Sequence, residues 1–109
     1  MTETVLLAFC TCPNEVVAEA IADTLVGEKL AACVNLLPGI RSIYAWQGEI
    51  QRDAEVMLLI KTSTARFAAL TQRLPELHPY DLPEIIAIPV SHGLPPYLEW
   101  VLACTSDAS

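Results

Sequence analysis

Residues 78–90 read HPYDLPEIIAIPV, a polar, proline-punctuated loop that runs without a break into a strand apolar at almost every position. A strand with one face on a core and the other in water alternates apolar and polar residues. Ile85, Ile86, Ala87, Ile88 and Val90 do not alternate. Both faces are therefore expected to be covered, yet a chain of 109 residues has few elements with which to cover a sheet twice. Part of the cover is expected from outside the chain.

The composition points the same way. A chain of this length makes a single domain, residues 1–109, of a size that buries roughly 65% of the unfolded surface. Hydrophobic residues make up 53% and charged residues 17%, against about 25% charged in an ordinary soluble domain. That is too little charge to cover the surface, and a homo-oligomer is expected. Six basic and thirteen acidic residues give a net charge of -7, which disfavours nucleic acid and anionic membranes as partners. No apolar run approaches the roughly 18 residues of a membrane span. Glu3 stands where a signal peptide carries positive charge, so a soluble, cytoplasmic protein is expected.

Upstream, residues 4–12, TVLLAFCTC, have the length and apolarity of a strand. They lead to a helix in which Cys12 is the expected cap, Pro13 the first helical residue and Glu15 the reciprocal carboxylate. Val16, Val17, Ala20, Ile21 and Leu25 recur at helical spacing, and Gly27 suits a left-handed stop. Residues 30–46 read as one long strand kinked at Pro38-Gly39. A tight Gln47-Gly48 turn leads into a second long strand, in which Val56, Leu58 and Ile60 alternate with Glu55, Met57, Leu59 and Lys61. The tip of this hairpin is expected to project beyond the sheet. A second helix begins near Ser63 or Thr64 with Phe67, Leu70 and Leu74 as its stripe, and Pro75 ends or kinks it. A third begins at Pro95-Pro96 and places Tyr97, Val101 and Trp100 on its packing side. The fold class is α+β: a ferredoxin-like βαββαβ antiparallel sheet, order 4-1-3-2, with an extra C-terminal helix. Both main helices lie on one face, and a second subunit is expected to protect the other.

None of the four cysteines, Cys10, Cys12, Cys33 and Cys104, forms a CxxC pair, and reduced thiols are expected. Cys10 and Cys12 point to one face of their strand. They can offer two thiolates to Cu(I) or serve as small hydrophobes.

KLAACVNLLPG, YAWQGEI, EVMLLIKT and HPYDLPEIIAIPVSHG, taken in order, resemble the CutA family of divalent-cation tolerance proteins over nearly the full chain. The resemblance implies a cytoplasmic homotrimer similar to the PII signalling proteins, with hairpins packed across subunits. It also implies copper ligation by Cys10, Cys33 and His78. In the fold order above, however, the first two strands run parallel, which sets Cys10 and Cys33 apart. A Cu(I) site would then pair Cys10 with Cys12, or join thiols across an interface.

His78, Tyr80, Asp81 and Glu84 share one loop stiffened by Pro79 and Pro83, which suits either ligand binding or subunit contacts near Cys10 and Cys12. Glu55 and Lys61 share a strand face and are expected to join an intersubunit ion network. Tyr44 and Trp46 suit interface anchors. Trp46, Glu55, Lys61, Tyr80 and Glu84 are thus the residues expected at an intersubunit or ligand cleft. No nucleophile stands beside a base and an orienting group, and no enzyme is expected. A cysteine enzyme built on Cys10 and His78 would show a depressed Cys10 thiol pKa. Copper is the one cofactor implied, and none is expected to be needed for folding. Two functions result: copper-linked cation tolerance, or a PII-like trimeric scaffold that takes a small molecule or protein partner at its subunit clefts.

Overall fold

The computed structural model describes residues 3–106. Within these, β1 (Val5–Cys12), α1 (Glu15–Gly27), β2 (Cys33–Trp46), β3 (Glu49–Ser63), α2 (Thr64–Leu77), β4 (Ile86–Pro89) and α3 (Pro95–Cys104) follow in order. The four strands form one sheet, β2-β3-β1-β4, with every neighbouring pair antiparallel. This is the expected α+β ferredoxin-like arrangement. Met1, Thr2 and residues 107–109 of the expected domain lie outside the described residues.

Strand pleating sorts the side chains. Ala8, Cys10 and Cys12 of β1 pack with Val56, Leu58 and Ile60 of β3 against Ala18, Ile21 and Leu25 of α1 and Leu70 and Leu74 of α2. Each large apolar side chain buried here contributes about 1.5–3 kcal/mol. The odd-numbered residues of β1 and β3 face the other way. There α3 covers one corner, where Val101 packs on Val5 and Ala32 and Thr105 Oγ1 donates to Ser63 Oγ at 3.0 Å. The rest of this face stays open. Ile86 and Ile88, which pair with Phe9 and Leu7, are 59% and 50% exposed. The non-alternating strand is thus an edge strand with Ala87 on the core side and two isoleucines on a face that the chain itself leaves bare.

The hairpin outruns the sheet. β1 pairs with β3 only from Val56 to Ser63, so Ile40–Trp46 and Glu49–Glu55 continue as a two-stranded ribbon. Gln47 and Gly48, with φ of 52° and 82°, close it in a turn that needs left-handed backbone at both positions. At Pro38-Gly39 the register slips: Leu37 faces Met57, but Ile40 faces Glu55, leaving one extra residue on β2.

Local details correct the sequence reading. The cap of α1 is Asn14, whose Oδ1 accepts from Val17 N at 2.9 Å, so Cys12 stays in the strand and Glu15 is the first helical residue. Its buried stripe is Ala18, Ile21, Ala22 and Leu25, one step round from the expected face, with Val16 and Ala20 exposed. The left-handed residue after α1 is Lys29, not Gly27. β2 starts at Cys33 because Leu30, Ala31 and Ala32 form a buried lead-in. Pro75 sits within α2, which runs on to Leu77. In α3 only Val101 is fully buried, while Tyr97 and Trp100 face outward.

Candidate functional site

Cys10 and Cys12 end β1 on the helix-covered face, both with no exposed surface. His78 follows α2 directly and folds back over the end of β1, 7% exposed. Its Nε2 lies 2.8 Å from the Thr11 carbonyl oxygen, and its Nδ1 accepts from Tyr80 N–H at 3.2 Å. A carbonyl only accepts, so Nε2 carries the proton, and both bonds specify the same neutral tautomer. One donor atom from each of Cys10, Cys12 and His78 lies within 4.8 Å of the others. Cys10 Sγ donates to the Thr11 carbonyl oxygen at 3.7 Å, and its thiol is held well above the usual range by the neighbouring Cys12 sulfur and by burial. Cys12 is held below that range by the neighbouring Cys10 despite its burial. Two adjacent thiols can present one thiolate readily and a second once a cation compensates it.

Cys33 does not join this group. Its β-sheet partner is Lys61, which puts it on the open face, half-buried, with Lys61 Nζ 3.8 Å from its sulfur. β1 and β2 run parallel with β3 between them, and the pleat sends Cys10 and Cys33 to opposite sides. Of the residues expected to ligate, Cys10, Cys12 and His78 come together within this chain, and Cys33 lies apart from them.

The same loop shapes a second feature. Past His78 it crosses to the open face, and with the ribbon it encloses a cleft of about 750 Å³ lined by Thr11, Ser42, Tyr44, Trp46, Glu55, Tyr80 and Glu84 among others. Glu55 is 6% exposed, and its Oε2 accepts from the Tyr80 phenol at 2.6 Å. Burial and this bond keep the phenol from ionising until well above the ordinary range. The Glu84 carboxyl is raised by partial burial and by the Glu55 charge. Tyr44 donates to Asp53. Of the residues expected at a cleft, Trp46, Glu55, Tyr80 and Glu84 come together. Lys61 does not: it lies on the Glu55 face but six positions along β3, roughly 20 Å away at about 3.3 Å per residue, against Cys33 and Asn35. Sequence reasoning missed Thr11 and Ser42 as lining residues; the strand register alone brings them in.

Residues 6–104 match the family described as CutA1 divalent ion tolerance protein. Protein CutA of Mus musculus is 52% identical over 94% of this chain and 58% of its own length. The divalent-cation tolerance protein CutA of Thermus thermophilus is 52% identical over 93% of this chain and 95% of its own length. The solved structure of the divalent cation tolerance protein Cut A1 from Thermus thermophilus superposes with a TM-score of 0.91 at 48% identity, covering 94% of this chain and 99% of that one. The chain thus spans little more than half the length of the mouse relative. Two further relatives carry a location in their names, chloroplastic in Oryza sativa and periplasmic in Archaeoglobus fulgidus. Among the described residues, no helix is long and apolar enough to cross a membrane.

Proposed function

The chain belongs to the CutA1 divalent ion tolerance family, and from that premise we propose that it is a homotrimeric, cytoplasmic copper-tolerance protein that binds Cu(I) rather than turning over a substrate. The observation that carries this reading is the convergence of the Cys10, Cys12 and His78 donor atoms within 4.8 Å. Two soft sulfurs and one imidazole suit Cu(I) better than a hard, oxygen-seeking cation. Copper is cargo here, and folding needs none, because the three donors satisfy one another and their neighbours through hydrogen bonds. To ligate through Nδ1, His78 gives up the bond it accepts from Tyr80 N–H; to ligate through Nε2, it gives up its bond to the Thr11 carbonyl and moves its proton to Nδ1. The trimer is supported by the bare apolar face that carries Ile86 and Ile88. The test is an anaerobic Cu(I) competition titration of the reduced protein, with mass measured by light scattering. Tight binding that survives Cys33→Ser and is lost in Cys10→Ser and Cys12→Ser is expected. Binding that depends on Cys33 instead would overturn the assignment.

A second reading is favoured by the cleft. Its volume falls within the range of small-molecule sites, which suits a PII-like trimeric scaffold that binds a small molecule or protein partner there and affects metal tolerance indirectly.

A further inference from the structure

We infer that Cys10 and Cys12 are a peroxide-sensitive pair, closing a reversible disulfide across Thr11 that removes both sulfurs from the donor set and releases His78. The bond itself follows from the strand; its effect on copper rests on the copper reading above. The two sulfurs lie within 4.8 Å of each other, inside one chain and on the face that α1 and α2 cover. Neither of the other cysteines competes. Cys33 faces the opposite side of the sheet beside Lys61, and Cys104 packs with Val5, Ala32 and Val101 under α3. Once Cys10 or Cys12 is oxidised, the thiol within reach in its own chain is the other member of the pair.

The end of β1 can make the movement this bond requires. Residues two apart in a strand have Cα atoms about 6.6–6.8 Å apart, at the wide limit of the roughly 4.4–6.8 Å that a disulfide spans. Closing the bond therefore draws the strand together at Thr11. β4 pairs with Leu6 to Phe9 of β1, so the bend falls on the last three residues, where Thr11 pairs with Met57 and Cys12 with Val56 of β3. The Thr11 carbonyl accepts from His78 Nε2–H at 2.8 Å and from the Cys10 thiol at 3.7 Å. Oxidation removes the thiol proton and turns the carbonyl, so both of its donors are lost together. A disulfide closed against strand pairing is also one that thiols reduce readily. Both sulfurs have no exposed surface, and the His78 ring folded over them is 7% exposed, so a water-sized oxidant enters when that ring is displaced. Hydrogen peroxide converts one thiol to a sulfenic acid and leaves as water. The second thiol attacks that sulfur, forms the S–S bond and expels the hydroxyl as a second water. The pair gives up two electrons and two protons, and peroxide takes both.

The experiment treats the full, reduced, metal-free chain with equimolar hydrogen peroxide, counts thiols after denaturation and maps the products by mass. Cleavage after Lys29 keeps Cys10 and Cys12 on the fragment of residues 1–29, apart from Cys33 and Cys104. The expected result is a fall from four thiols to two, with that fragment lighter by two hydrogens and restored by dithiothreitol. Cys33→Ser and Cys104→Ser are expected to leave the bond unchanged, and Cys10→Ser to stop at a Cys12 sulfenic acid that dimedone captures. The oxidised chain is expected to bind Cu(I) at least tenfold more weakly, and dithiothreitol to restore the affinity. Dimedone capture in the native sequence without a disulfide, a bond through Cys33 or Cys104, or thiols that react only in urea would each overturn the pairing. A disulfide that forms as expected in a chain whose Cu(I) affinity it leaves unchanged would keep the pairing and overturn the copper reading at these two sulfurs.

Discussion

The Tyr80 phenol donates to Glu55 Oε2 at 2.6 Å, tying the loop after α2 to the ribbon and giving the buried carboxylate its donor. Tyr80→Phe removes that donor without changing the shape of the ring. The expected cost is about 1–3 kcal/mol, that of a buried acceptor left unsatisfied, read as a fall in the urea midpoint at unchanged m-value. An unchanged midpoint would mean that water replaces the phenol and that the bond does not brace the loop.

If Cu(I) binds at Cys10 and Cys12 as proposed, it displaces protons, because the raised Cys10 thiol must ionise to ligate. Affinity is expected to rise about tenfold per pH unit for each proton released. A titration series from about pH 6 to 8 checks this. A flat profile would place the ion on groups already deprotonated.

Glu84 gives a pH dependence of definite sign. Its folded pKa is raised above 4.5 by burial and by Glu55, so above that pH the native state holds the proton more tightly than the unfolded chain. Stability contributed by this group is present below the unfolded value and lost as pH rises through the folded one. Carbon-detected NMR is expected to show Glu84 titrating above 4.5, and Glu84→Gln is expected to remove that part of the slope. A Glu84 midpoint at or below the ordinary value would overturn the account.

Asn14 caps α1 through Val17 N–H at 2.9 Å. Asn14→Ala is expected to cost about 1 kcal/mol, seen in thermal unfolding, whereas Asn14→Ser is expected to cost little. Equal losses in both would point to a role for Asn14 other than capping.

Ile88 is 50% exposed on the bare face. If subunits meet there, Ile88→Asp places a charge in an apolar seam and the trimer is expected to dissociate, with light scattering giving the mass of a single chain. A trimer that persists would move the interface elsewhere.

The element order and the projecting hairpin could be read from the sequence because each rests on a local signal: a proline at the start of α3, Gln47-Gly48 at the tip, period-two alternation in β3. The open face was legible from one strand, since Ile85–Val90 declined to alternate. Local signals misplaced the cap of α1 by two residues, Cys12 for Asn14, and part of its buried stripe, where Ala18 and Ala22 take the place of Val16 and Ala20. The metal group was half legible. Spacing put Cys10 and Cys12 on one face and chain order brought His78 near them. Cys33 was placed by resemblance, and only the pleat of a strand two neighbours away shows it to be on the far side. The cleft depended on pairing between segments distant in the chain, which no local pattern encodes.

The slip at Pro38-Gly39 takes up one extra residue without turning the ribbon over. Up to Leu37 it is the odd positions of β2 that share a face with the odd positions of β3; beyond the extra residue the even ones do, so that Ser42 stands opposite Asp53 and Tyr44 opposite Gln51. Remove one residue there and the ladder runs on without the bulge, with Ile40 still opposite Glu55 and Tyr44 still opposite Gln51, so the arm keeps the same face towards the cleft. What the extra residue sets is the bend and twist of the ribbon where it leaves the sheet, and with it the angle at which Tyr44 and Trp46 stand over the cleft.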